Sequence, residues 1–249
     1  MSKIGLQMYS LKTYTKDDFL GTLDKVSKLG FRAVEFAGFF NVKAKALKKH
    51  MDNLGMVPCG SHTSLDLLTD KFSQTIEYNL EIGNKYIYCP SLPDSVISDE
   101  YGWKKISELF NEIGAKCQDM GVEFGYHNHA FEFNKFDGIT GYEILANNTE
   151  PNIVKFQIDT FWVEYAGYNP LDLIEQYKDR LSLLHLKEMQ DKDSMIDTFA
   201  GEGISDTKAI IKKAKDIGIK YIILEQEHFK SKNQFEEVEK GFDYVSKII

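Results

Sequence analysis

A single α/β domain over residues 1–249, closed as a (β/α)8 TIM barrel, is the fold this sequence predicts. Eight short apolar runs recur along the chain, and stretches with helical spacing of apolar residues separate them. The length, 249 residues, is close to the roughly 250 that one such barrel occupies. Strands alternating with helices imply βαβ units, a parallel sheet and right-handed crossovers. An open, doubly wound sheet is the competing arrangement. It ordinarily shows a glycine-rich phosphate loop after its first strand, whereas here that strand runs into Gln7-Met8-Tyr9-Ser10-Leu11.

Strands are expected at the apolar runs Ile4–Tyr9, Ala33–Phe36, Val57–Ser61, Tyr86–Cys89, Val122–Tyr126, Val154–Ile158, Leu181–Leu184 and Tyr221–Leu224. Between the first two, Phe19, Leu23, Val26 and Leu29 form one helical stripe that Gly30 stops. Leu47, Met51 and Leu54 with Gly55 repeat the device, as do Ile76, Leu80 and Ile82 with Gly83. Ile106, Leu109, Phe110, Ile113 and Cys117 with Gly121 follow, then Ile210, Ile211, Ala214 and Ile217 with Gly218. Glycine just past an apolar stripe is the usual left-handed helix terminator. A last helix is expected over Gln234–Ile249, and no linker or low-complexity tract marks a second domain.

Composition narrows the function. With 43% hydrophobic and 27% charged residues, the chain reads as a soluble globular protein that needs no disulfides to hold its core. A net charge of −8, only two arginines (Arg32 and Arg180) and no dense basic cluster argue against nucleic acid as a partner. Cys59, Cys89 and Cys117 lie far apart and read as reduced thiols of a cytoplasmic protein. No signal peptide is expected before the first strand, and no membrane span, since no run approaches about 18 apolar residues.

In a parallel barrel the reacting groups sit at the C-terminal ends of the strands. The polar residues directly after each run are therefore the candidates. They are Glu35 after strand two, His62 after strand three, and His127, Asn128 and His129 after strand five. Asp159 follows strand six, His185 and Lys187 strand seven, and Glu225 and Glu227 strand eight. Four of the six histidines fall on this one face. His, Asp and Glu converging from separate strands suit one divalent cation (Mn, Co, Zn or Mg) with positions left open for a substrate oxygen.

The runs Val122-Glu-Phe-Gly-Tyr-His-Asn-His-Ala-Phe-Glu-Phe133, Ile158-Asp-Thr-Phe-Trp-Val163, Leu183-Leu-His-Leu-Lys-Glu188, Gly201-Glu-Gly203 and Ile222-Ile-Leu-Glu-Gln-Glu227 occur in that order. With Gly5-Leu-Gln-Met-Tyr-Ser10 and Gly30-Phe-Arg-Ala-Val-Glu35 they resemble the xylose isomerase-like barrel superfamily, in particular its sugar phosphate isomerase/epimerase branch. The resemblance covers essentially the whole chain.

It implies one divalent cation held from strands five to eight, hence by His127, Asp159, His185 and Glu225 here. It further implies a metal-dependent isomerase or epimerase of a keto sugar or sugar phosphate, acting by proton abstraction beside a carbonyl through an enediolate. Three departures matter. Relatives usually place glutamate where His127 stands, so of the glutamate pair that moves the proton in epimerases only Glu225 is present. Trp162 stands where many relatives have histidine, offering a flat wall for a sugar ring. The arginine that often follows the strand-seven histidine is missing, which favours an unphosphorylated keto sugar or inositol-type ring.

Each residue also has a plainer reading. His129 shares a side with His127 on an alternating strand, and either could be the ligand. His62 reads as a general acid or base, or as a histidine satisfied by a loop carbonyl. Glu225 and Lys187 are the other expected catalytic groups, Lys187 otherwise being a solvated lysine. Glu35, Asn128, His129, Trp162 and Glu202 are expected to contact a small-molecule sugar, although Glu35 could orient a neighbour and Glu202 could be a turn residue. Loss of a β-substituent from the same intermediate would make the chain a dehydratase or lyase, as in the inosose dehydratase-like members. A DNA repair endonuclease fits the acidic chain poorly, and a non-catalytic sugar-binding or partner subunit is the third reading. A homo-oligomer is expected by analogy alone.

Overall fold

Parallel strands of this chain can pair without edges only by closing on themselves, and they do. The computed structural model describes residues 2–249. Strands β1 (Lys3–Gln7), β2 (Ala33–Phe36), β3 (Val57–His62) and β4 (Tyr86–Cys89) are followed by β5 (Glu123–His127), β6 (Val154–Asp159), β7 (Leu181–Leu186) and β8 (Tyr221–Leu224). Each pairs with its sequence neighbours, and β1 pairs with β8 to complete an eight-stranded parallel barrel.

Helices return the chain between strands where the apolar stripes predict them. Ala44–Leu54 and Phe72–Ile82 end on Gly55 and Gly83, whose φ of +63° and +86° closes the last turn in the left-handed region. The last helix is Gln234–Ser246, three residues shorter than its apolar pattern.

β1 stops at Gln7 instead of Tyr9. The Gln7 side chain accepts the Tyr9 amide N–H and starts a 3₁₀ turn over Met8–Leu11, which turns Tyr9 out to solvent. By contrast β5, β6 and β7 run past their apolar stretches and take His127, Asp159 and His185 into the ladder. Hydropathy misses these ends because the inward face there is polar and self-paired. Two small antiparallel ribbons, Lys135–Phe136 with Ile139–Thr140 and Glu188–Met189 with Asp197–Thr198, follow β5 and β7. Strands of two residues carry no period to read.

Two apolar layers hold the fold. The larger lies between strands and helices, with Phe36, Phe124, Phe156 and Ile158 facing Leu23, Phe110 and Ile211 among others. The smaller plugs the barrel itself with Ala33, Cys59, Tyr88, Leu183 and Ile223, all buried. Each of the larger side chains in it contributes roughly 1.5–3 kcal/mol by leaving water. The three cysteines are buried free thiols. Among the described residues no helix is long and apolar enough to cross a membrane.

Candidate functional site

Strand periodicity carries the chain from the apolar plug to a polar layer above it. Two residues along a strand return to the same face about 6.6 Å higher. Thus Leu183 in the plug is followed by His185 and Lys187, Ile223 by Glu225 and Glu227, Ala33 by Glu35, and Gln157 by Asp159. Register aligns these ends, pairing His127 with Gln157 and Asp159 with His185. His127, Asp159, His185 and Glu225 consequently offer ligand atoms that all lie within 4.8 Å of one another. His62 stacks on His185 with ring centroids 5.1 Å apart, and the three imidazoles of His62, His127 and His185 form a second such grouping.

Every group in this layer is charged, polar and nearly dry. Asp159 Oδ1 accepts the Trp162 amide N–H at 3.0 Å and caps the short helix Thr160–Tyr165. Its Oδ2 is buried with no hydrogen-bond partner. His185 lies between carboxylates, with Nδ1 2.7 Å from Glu225 Oε2 and Nε2 2.5 Å from Glu35 Oε2. The Lys187 ammonium donates to Glu227 Oε1 at 2.6 Å and stands 3.8 Å from Glu225 Oε1, with the Trp162 ring 5.1 Å away.

Burial and these partners pull the proton affinities apart. Burial drives Asp159 up and His127 well below the usual imidazole range, and His129 down to about 4. For Glu225 burial works upward but is outweighed by Lys187 and His185, so its carboxyl is held low. Glu35 is held low in the same way, against its burial, by His62 and His185. For Lys187 burial works downward, and Glu225, Asp159 and Glu227 overcome it to keep the ammonium charged.

The residues present fit a divalent cation. An acceptor-only oxygen buried without a donor, Asp159 Oδ2, costs several kcal/mol unless a positive group meets it. Two imidazoles and two carboxylates are a borderline-to-hard donor set, suited to Zn, Mn or Co as well as Mg. The carboxylates Glu35, Asp159, Glu225 and Glu227 are met by Lys187, by Lys12 at 3.0 Å from Glu227, and by His185, whose proton affinity burial lowers but the surrounding carboxylates raise well above the usual imidazole range.

The expected substrate contacts divide. His62, His129, Trp162 and Glu225 line a cleft of about 580 Å³ at the C-terminal mouth of the barrel, together with Tyr9 and Glu227. His129 is in the wall and not among the four clustered ligands. β5 ends at His127, so its alternation does not extend to His129, whose ring packs on Phe131 and Trp162 instead. Three expectations need correction. Glu35 is fully buried beneath His185 and reaches no cleft. Asn128 is fully buried too, its Oδ1 accepting the Asp159 amide and its Nδ2 donating to the His129 carbonyl. Glu202 accepts from Thr198 Oγ1 at 2.6 Å and Lys230 Nζ at 3.1 Å and is no part of the cleft lining.

Gln157, Glu132 and Tyr9 join the site without having been expected. Gln157 was readable, because it stands two residues before Asp159 and must share its face. Glu132 accepts from Tyr126 Oη and the His129 amide while wholly buried, which no local pattern announces.

Comparison with known proteins agrees with the fold. A family model described as xylose isomerase-like TIM barrel matches residues 23–248. An inosose dehydratase of Geobacillus kaustophilus (strain HTA426) is 25% identical over 201 residues, 71% of this chain and 63% of that protein. The chain thus spans just under two thirds of the length of that relative. The crystal structure of a sugar phosphate isomerase/epimerase from Parabacteroides distasonis ATCC 8503 superposes with a TM-score of 0.84 at 29% identity, covering 98% of this chain and 93% of that one. A structure of the IOLI protein with a zinc atom has a TM-score of 0.75 at 16% identity, with 99% of both chains covered, a likeness of fold alone. With most of its length matched by the family model, the chain belongs to the xylose isomerase-like TIM barrel family.

Proposed function

We propose that this chain is a divalent-metal-dependent enzyme that removes the proton beside the carbonyl of an unphosphorylated keto sugar or cyclic keto polyol, with loss of water as its outcome. The observation that carries this reading is the donor set itself, His127, Asp159, His185 and Glu225, gathered under an open cleft. A cation held by these four side chains would supply Lewis-acid polarisation of the carbonyl.

The chain's own residues account for the rest. Glu225 is ionised at the cleft and takes the proton on a carboxylate oxygen. Glu225, which lines the cleft, then gives that proton to the departing hydroxyl, while the buried Lys187 ammonium 3.8 Å away holds its charge in place. The C–H and the neighbouring C–O bonds break, a C=C bond forms, and water leaves. Trp162 and His129 form the wall for a ring and exclude solvent from one face.

Dehydration is placed first because the strand-five position that would carry the second glutamate of the epimerase pair holds His127. The inosose dehydratase relatives point the same way. Isomerisation or epimerisation is the second reading, supported by the name of the Parabacteroides neighbour.

The absence of a phosphate group on the substrate rests on where the cations are. Arg32 and Arg180 immediately precede β2 and β7, at the opposite end of the barrel from the cleft. Lys12 and Lys187 are both held by Glu227. No lysine or arginine is among the described residues lining the cleft.

The test is metal-loaded protein incubated in D₂O with a panel of keto sugars, keto polyols and their phosphates. Solvent deuterium beside the carbonyl with release of an unsaturated ketone, on unphosphorylated compounds, is the expected result. Exchange without loss of water would move the assignment to isomerase or epimerase. No exchange on any compound by folded, loaded protein would leave a binding subunit.

A further inference from the structure

Beneath the four clustered side chains lies a branching network of hydrogen bonds that converges on one buried carboxylate. Glu35 accepts from Gln7 Nε2 at 2.8 Å and from Gln157 Nε2 at 2.8 Å, and His185 Nε2 lies 2.5 Å from it. A carboxylate has no proton to give, so each of these neighbours must present a donor. Gln7 is oriented independently, because its Oε1 accepts the Tyr9 amide N–H at 3.0 Å.

The same logic passes through Gln157. With its NH₂ turned to Glu35, its Oε1 faces His62 Nε2 at 2.8 Å and His127 Nδ1 at 3.1 Å. An amide oxygen only accepts, so both imidazoles carry a proton on the nitrogen that faces it. His127 is left with its lone pair on Nε2. His185, whose Nε2–H is committed to Glu35, turns Nδ1 to Glu225 at 2.7 Å and Asp159 at 3.8 Å. That Nδ1 donates to Glu225 in the metal-free protein and is the nitrogen that would give up its proton to a cation held by those carboxylates.

We propose that Glu35, acting directly on His185 and through Gln157 on His127, is the positioning residue that selects which imidazole nitrogens the cation takes: His185 Nδ1 and His127 Nε2. This rests on the metal-site reading above and adds to it. It also leaves His62 Nε2, a donor to Gln157, out of the ligand set. The fold makes room for this device at Gly60, where a Cβ atom would stand 2.3 Å from Glu35 Oε1.

The tautomers are directly measurable by two-bond ¹H–¹⁵N correlation spectra of ¹⁵N-histidine-labelled protein. Without metal, His127 is expected to carry its proton on Nδ1. With zinc bound, His127 is expected on Nδ1–H and His185 on Nε2–H. Glu35→Gln and Gln157→Leu are each expected to change these tautomers and weaken zinc binding about 10–100-fold, the usual effect of removing a partner that orients a ligand.

Opposite tautomers in the unaltered protein would overturn the proposal even if neither variant folds. So would folded variants that bind zinc as tightly with unchanged spectra, and in both cases the metal site would stand. If the unaltered, folded protein takes up no zinc, cobalt or manganese at all, the metal-site reading itself falls, and the positioning role with it.

Discussion

Asp159 and Trp162 are joined through one carboxylate oxygen only: Oδ1 accepts the Trp162 amide N–H at 3.0 Å, and Oδ2, equally buried, accepts nothing. One oxygen serves the helix that follows β6, and the other is left for the site. The two tasks can therefore be separated by substitution.

Asp159→Asn keeps an oxygen for the helix cap and removes the charge. Metal-free stability is expected to stay level or rise, since burial already drives the Asp159 carboxyl upward. The gain on adding zinc, about 2.7 kcal/mol when zinc stands at 100 times its dissociation constant, is expected to vanish. Thermal unfolding with and without zinc measures both. A variant stabilised by zinc as much as the unaltered protein would place the ion elsewhere.

Glu132 gives a pH signature that needs no metal. Its burial raises the carboxyl from its ordinary value to about 7. The folded protein then binds more protons than the unfolded chain between about pH 4.5 and 7, so stability falls as pH rises through that window. The contribution lost is of order 3 kcal/mol and is complete above it. Glu132→Gln can accept the His129 amide with one atom and donate to Tyr126 Oη with the other, so it keeps both contacts. The stability difference between variant and unaltered protein, measured by denaturant unfolding from pH 5 to 8, is expected to grow in the variant's favour. A flat difference would show that Glu132 titrates normally.

The barrel was legible because its elements repeat one device, an apolar run followed by an amphipathic stripe closed by glycine. The four clustered side chains were legible for a related reason. They fall at the ends of those runs, and a parallel barrel gathers such ends at one mouth. What escaped was depth along the barrel axis. Glu35 and Asn128 follow the same rule of position as Glu225, yet both are fully buried. Strand tilt and register decide which inward residue reaches solvent, and a single sequence shows neither. Glu202 misled for another reason, because a charged residue between two glycines looks the same whether it touches a ligand or braces its own loop through Thr198 and Lys230.

Gly60→Ala tests the depth of Glu35 without altering any polar group. A methyl group 2.3 Å from Glu35 Oε1 and 3.0 Å from its Cδ cannot be accommodated unless the carboxylate moves. Overpacking of this kind costs about 1–3 kcal/mol. Displacing Glu35 is expected also to lower zinc affinity in the direction of Glu35→Gln. Denaturant unfolding and zinc titration report the two effects separately. An alanine variant with unaltered zinc affinity and stability would mean that Glu35 has freedom to shift with no consequence above it.

Arg180 offers the complementary test at the far end of the barrel. Its guanidinium donates to the carbonyls of Val154 and Ala146 and to Thr149 Oγ1, and it lies 4.0 Å from the Phe156 ring centroid. These contacts tie the start of β6 to the helix Gly141–Asn148 that precedes it. Arg180→Ala leaves buried acceptors without donors and is expected to cost roughly 2–4 kcal/mol. Arg180→Lys recovers only part of this, because one ammonium cannot span acceptors that the planar fork reaches together. If the cleft takes an unphosphorylated substrate at the other mouth, kcat/KM of either folded variant stays at the unaltered value for neutral substrates. A selective loss on phosphorylated compounds would instead give Arg180 a part in binding and contradict the placement of all arginine away from the site.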